Sequence, residues 1–100
     1  MAELVVIFWR DIPSQIVVRA GRRQAKRMLP QRFVEAIDIA AMRAGLTDAD
    51  AYLAEWRRAA PAACGDDLEA EADAALARLE RDYDAARLAA LAQAGGREPA

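Results

Sequence analysis

Histidine is absent from this 100-residue chain, cysteine occurs once, and aromatic residues make up only 6% of it. Without histidine the chain lacks the side chain that most often acts as a general base near neutral pH and most often ligates metals. Cys64 alone can form neither an intramolecular disulfide nor a cysteine metal cluster. Ser14 and Thr47 are the other obvious nucleophiles, and neither has a base near it in sequence. These gaps argue against an enzyme and against a bound metal or other cofactor. One free cysteine fits a reducing cytoplasm. Glu3 and Arg10 bracket only six apolar residues, so a secretory leader is not expected. No run approaches the ~20 apolar residues of a membrane span, and no membrane partner is expected.

Lysine is also scarce: Lys26 stands against thirteen arginines, a skew read first as the codon usage of a GC-rich genome. The hydrophobic share of 55% overstates the core, because alanine supplies 26 of those residues. Burying a Val, Leu, Ile or Phe contributes roughly 1.5–3 kcal/mol, and alanine far less. A thin core of this kind would benefit from a second copy, so a homodimer is expected. The net charge of −2 hides an asymmetry. Residues 1–32 carry seven basic and two acidic side chains, whereas residues 66–84 carry eight acidic and two basic. Two surfaces that attract each other, or attract a partner, account for such a split as well as a nucleic-acid face does.

The large apolar residues begin with Leu4-Val5-Val6-Ile7-Phe8-Trp9, a β-branched and aromatic run that predicts a strand covered on both faces. Asp11-Ile12-Pro13-Ser14 supplies turn chemistry, and Gln15-Ile16-Val17-Val18-Arg19 a second strand, together an antiparallel hairpin ended by Gly21. Two strands are marginal alone and need a third strand or a partner beside them. Arg22 to Leu29 reads as a short basic helix with Ala25, Met28 and Leu29 inward. A helix from Pro30 to about Ala44 carries Phe33, Ile37, Ala40, Ala41 and Ala44 on one stripe, with Gly45 as its C-cap. Thr47-Asp48-Ala49-Asp50 starts another helix, to about Arg58, and Pro61 and Gly65 bound a loop holding Cys64. Asp66 and Asp67 open a final helix to about Ala94, whose apolar positions from Leu68 to Ala90 step by threes and fours, with Gly95-Gly96 stopping it. The fold expected is α+β: an N-terminal antiparallel β-hairpin packed against three to four alanine-rich helices. It forms one domain over residues 1–96, with a disordered tail at 97–100.

Among candidate sites, Arg19, Arg22, Arg23, Lys26, Arg27 and Arg32 form a basic stretch with no acid between Asp11 and Glu35. Such a stretch can neutralise phosphates, with Phe8 and Trp9 stacking on bases. More often such a stretch is a solvated face or a dock for the acidic helix. Arg10 and Asp11 at the hairpin turn can grip a partner or simply pair with each other. Glu55-Trp56-Arg57-Arg58 sets an aromatic among charges, as interface anchors do, or caps the core. Asp66, Asp67, Glu69, Glu71 and Asp73 do not match an EF-hand loop and are favoured at a helix N-terminus in any case.

Val6-Ile7-Phe8-Trp9-Arg10-Asp11-Ile12-Pro13 and Gly21-Arg22-Arg23-Gln24-Ala25-Lys26 resemble the small bacterial virulence factor domain family. Phe33, Ala36-Ile37-Asp38, Ala41-Met42-Arg43 and Asp50-Ala51-Tyr52-Leu53-Ala54-Glu55-Trp56 continue the resemblance, over roughly residues 3–60 and on into the acidic helix. The family also occurs as a domain of conserved virulence factor C proteins. Its name describes a phenotype, and the resemblance carries over no catalytic residue. It implies an accessory subunit for folate and corrinoid one-carbon enzymes, beside whose genes stand-alone members often lie. The residues and the resemblance together point to a non-enzymatic accessory or protein-interaction domain. Its expected surface comprises Trp9, Arg10, Asp11, Arg22, Arg23, Lys26, Glu55, Trp56 and Arg57, and its expected partner is a protein such as a one-carbon or methyl-transfer enzyme. Nucleic-acid binding through residues 19–32 is the alternative, and a subunit completing a composite enzyme site is a third.

Overall fold

A computed structural model describes residues 1–46 and 48–98. Three strands, β1 (Ala2–Trp9), β2 (Ile12–Ala20) and β3 (Arg23–Met28), form an antiparallel meander. Helix α1 (Gln31–Arg43) and the short α2 (Ala49–Leu53) follow. The chain then returns to the far edge of β1 as β4 (Trp56–Arg58) and β5 (Ala62–Cys64), giving the order β3-β2-β1-β4 with β5 also on β1. Helices α3 (Leu68–Asp82) and α4 (Ala85–Gln93) complete the α+β fold.

The strands β4 and β5 act as one interrupted strand. Trp56, Arg57 and Arg58 pair with Trp9, Phe8 and Ile7, and Ala59 N–H still donates to the Val6 carbonyl at 2.9 Å. When pairing resumes at Ala62 opposite Leu4, the register has slipped by one residue. Pro61 sits in that slip, where a residue without an N–H cannot extend the ladder. The strands that the hairpin needs beside it are therefore supplied from within one chain.

A second irregularity lies between Ile7 and Phe8, where β2 carries Ser14 as an extra residue beside Pro13. Alternation along β1 would otherwise place Trp9 on the face of Val5 and Ile7. Next to this irregularity Trp9 instead turns into the core with its cross-strand neighbour Ile12.

One core forms on one face of the sheet. Ile16, Val18 and Ala25 meet Phe33, Ile37 and Ala40 of α1 and Leu68, Ala72, Ala75 and Leu79 of α3, while α4 packs on α1 through Leu88 and Leu91. Val5 and Val17, paired in register, are buried outside this core on the opposite face. Gln15 and Arg19 in the adjoining rows and Lys26 in the same row have stems long enough to shade them. Among the described residues no helix packs on that face.

Several expectations are corrected. The hairpin turn is Arg10–Asp11, and Ile12 to Ser14 belong to β2. Residues 23–28 form an edge strand rather than a basic helix; Ala25 faces the core, while Met28 is 61% exposed. The helix expected to reach Arg58 ends at Leu53, and Asp48 stands at its N-cap; Thr47 lies outside the described residues. Cys64 is on β5, not in a loop.

The long final helix is broken at Tyr83, and Asp84 restarts it by accepting from Arg87 N–H at 2.9 Å. Unbroken from 66 to 94 it would run ~43 Å at 1.5 Å per residue, longer than the 41 Å of the whole molecule. The break lets α4 fold back on α1. Arg32 of α1 takes up carbonyls freed by it, donating to Tyr83 O at 2.7 Å and Glu80 O at 3.1 Å. Within the expected tail, Glu98 N–H donates to Asp11 and its carboxylate pairs with Arg87, so the tail is tied down to at least Glu98. Pro99 and Ala100 lie outside the described residues.

Candidate protein-interaction surface

Five of the expected surface residues, Trp9, Arg10, Asp11, Glu55 and Arg57, converge at the tip of the β1–β2 hairpin. There they bind one another and the C-terminal segment. Trp9 is fully buried: its ring stacks on Tyr52 at 5.6 Å, and its indole N–H donates to the Tyr52 carbonyl at 3.0 Å. It is therefore no part of a surface, and it is not free to stack on bases.

Arg10 has φ +51, in the left-handed region that costs a non-glycine residue about 1–2 kcal/mol. Both sides of the residue are held. Its N–H donates to the Glu55 carbonyl at 3.1 Å, and its carbonyl accepts from Arg57 Nε at 2.9 Å. Its side chain, 14% exposed, donates to Glu55 Oε1 at 2.9 Å and to the Gly95 carbonyl at 3.0 Å. Nε of Arg10 is buried without a partner among the described residues, and the guanidinium carbon stands 5.4 Å from the centroid of the Trp9 ring. Asp11 N–H donates to the Gly96 carbonyl at 2.8 Å, and its carboxylate receives Arg57 at 3.3 Å and Glu98 N–H at 2.7 Å. The tip is a knot tying residues 9–13, 52–58 and 94–98 together. Its charges are largely spent inside the molecule.

The basic stretch is divided in the same way. Arg27 donates to Glu69 and Asp73 of α3, each at 2.8 Å, and those two bonds raise its pKa. Arg32 caps the end of α3, and Arg19 pairs with Glu3 at 3.4 Å. Arg22, Arg23 and Lys26 are exposed and have no ion-pair partner among the described residues. Arg27 thus ties the acidic helix to β3, beside the apolar packing of Leu68, Ala72, Ala75 and Leu79. Two further acids there are engaged: Asp67 caps α3 through Ala70 N–H at 3.1 Å, and Glu71 accepts from Gly65 N–H at 2.9 Å. Among the described residues no group of acids, histidines or cysteines is arranged to hold a metal ion. Burial, followed by the charges of Glu71, Asp66 and Glu3, pushes the Cys64 thiol up, which disfavours the nucleophilic thiolate. No helix among the described residues is long and apolar enough to cross a membrane.

A concave site remains on the helix-free face of the sheet. It is a groove of about 510 Å³ lined by Ile7, Ser14, Gln15, Met28, Trp56, Arg57 and Arg58. Met28, Gln15, Ile7 and Arg58 are successive cross-strand partners, so the groove follows one row across β3, β2, β1 and β4. Trp56 closes one wall, with its ring edge-on to Tyr52 at 6.2 Å. Arg57 lies over Phe8 at 4.6 Å. The lining has two cations and no acid.

The sequence had singled out Trp56 and Arg57 and placed Arg58 in the same segment. It missed Ile7, Gln15 and Met28 because the row exists only once β3 and β4 are recognised as strands. An exposed methionine ending a run of arginines was the available signal, but read as a helix it points inward.

The family model described as "Virulence factor" matches residues 7–92, which span the hairpin tip, the groove and all four helices to within one residue of the end of α4. No curated protein and no solved structure matches the chain. The chain belongs to the virulence factor family.

Proposed function

We propose that this chain is a non-enzymatic accessory domain that docks a protein partner on the helix-free face of its sheet. The observation carrying this reading is the groove across the row Met28, Gln15, Ile7, Arg58. It combines apolar floor, an aromatic wall and arginine, the composition of interface anchors. The raised Cys64 thiol and the lack of histidine support a binding rather than a catalytic role. The partner implied by the family resemblance is an enzyme of one-carbon or methyl transfer.

A photoreactive benzoylphenylalanine placed at Met28 tests the reading in cells. Met42, 74% exposed on α1, is the matched control position. A single covalent adduct of defined mass is expected from position 28 and none from 42. Equal adducts from both positions, or none from 28, would contradict it.

A second reading, nucleic-acid binding, draws on Arg22 in the β2–β3 turn and Arg23 and Lys26 of β3, which have no ion-pair partner among the described residues. Neutralising these three should then lower the salt dependence of oligonucleotide binding, and an absence of binding at 50 mM salt would dismiss it.

A further inference from the structure

Resting on the reading above, we infer that the occupant of the groove is an acidic, extended polypeptide segment that inserts one large apolar side chain between Ile7, Met28 and Trp56. The charge of the face selects it. Arg57 is matched by Asp11, and Arg19 by Glu3, on the surface around the groove. Arg58 and Lys26 are exposed on the same face and have no ion-pair partner among the described residues, so the face keeps two uncompensated positive charges. They flank the apolar floor on opposite sides, Arg58 on β4 and Lys26 on β3.

Two copies of this chain meeting face to face would set like charges against each other, which disfavours self-association here. An extended segment with acids on either side of a Phe, Leu or Met would place carboxylates at both cations and the apolar side chain in the groove. The volume of about 510 Å³ accommodates a side chain and its flanking backbone. Nucleic acid fits less well. Arg27, Arg32 and Arg19 are occupied internally and Trp9 is buried, so the basic stretch offers neither a continuous phosphate track nor a free aromatic beside it.

The test is fluorescence anisotropy of a labelled peptide with a central Phe flanked by glutamates, titrated with the full chain. The same peptide with lysines in place of the glutamates, and a single-stranded oligodeoxynucleotide of equal net charge, run alongside. The acidic peptide is expected to bind and the basic one not. Arg58→Glu and Lys26→Glu should each weaken binding, Arg58→Glu by roughly tenfold. Arg43→Glu, the same charge reversal on exposed α1, should leave it unchanged, which excludes a general charge effect. Equal binding of both peptides, equal loss in Arg43→Glu, or tighter binding of the oligonucleotide would overturn the proposal. If the acidic peptide fails while Met28 still crosslinks to one cellular protein, the inference falls and the docking reading stands. If both fail, both fall.

Discussion

Replacing Trp9 by alanine is expected to destabilise the protein by about 3–5 kcal/mol, the range for removing a large aromatic from a packed core. The indole is fully buried, with Tyr52 stacked on one side, and its N–H is committed to the Tyr52 carbonyl. Truncation would open a cavity, strip the tyrosine of its stacking partner and leave that carbonyl without its donor. Domains of this size unfold at about 5–15 kcal/mol, so the change approaches the whole margin. Urea unfolding checks it. Trp56→Ala, at a half-buried groove position, should cost far less. A Trp9→Ala protein as stable as Trp56→Ala would mean that the tip does not organise the core.

Gly96→Ala is expected to cost about 2–5 kcal/mol, combining left-handed backbone strain with overpacking. At φ +88, a Cβ on Gly96 would stand 2.9 Å from Trp9 Cζ3 and 3.3 Å from Arg10 Cβ. Neither neighbour can retreat, since the first is fully buried and the second is fixed by backbone bonds to Glu55 and Arg57. Gly21 separates the two causes. Its φ is +61, yet nothing lies within 4 Å of a Cβ built there. Gly21→Ala should therefore show the strain alone, about 1–2 kcal/mol. Equal midpoints for the two variants in urea would refute the close approach of the C-terminal segment to Trp9.

The hairpin was legible because its strands are β-branched and aromatic, and the α1 stripe because Phe33, Ile37 and Ala40 repeat at helical spacing. The other strands were not. Arg23 to Met28 is built of arginine, glutamine, alanine, lysine and methionine, all good helix formers, and only its pairing with β2 makes it a strand. At an edge those cations also serve to discourage pairing with another chain. Trp56–Arg58 and Ala62–Cys64 are too short, and the second too alanine-rich, to register as strands without β1 beside them. The break at Tyr83 was hidden by a periodic seam that continues across it; Asp84 was the signal, as an N-cap ahead of a second alanine-rich stretch.

The candidate surface was half legible for a related reason. Charge and aromatic content singled out Arg10, Asp11, Glu55 and Arg57, but sequence does not say whether such groups face outward or one another. Here they face one another, and the exposed chemistry is displaced to the row of Ile7, Met28 and Arg58.

The claim that the tip is structural and the groove row is the free surface is tested by urea unfolding of Arg10→Ala beside Arg58→Glu. Arg10→Ala deletes the partly buried bonds to Glu55 and Gly95, and a loss of about 2–3 kcal/mol is expected because the Gly95 carbonyl loses its donor and Glu55 keeps only the more distant Arg97, at 3.7 Å. Arg58→Glu changes an exposed side chain without an ion-pair partner among the described residues and should stay within about 0.5 kcal/mol of the parent. A stable Arg10→Ala beside a destabilised Arg58→Glu would contradict the claim, making the tip the free surface and the groove the structural element.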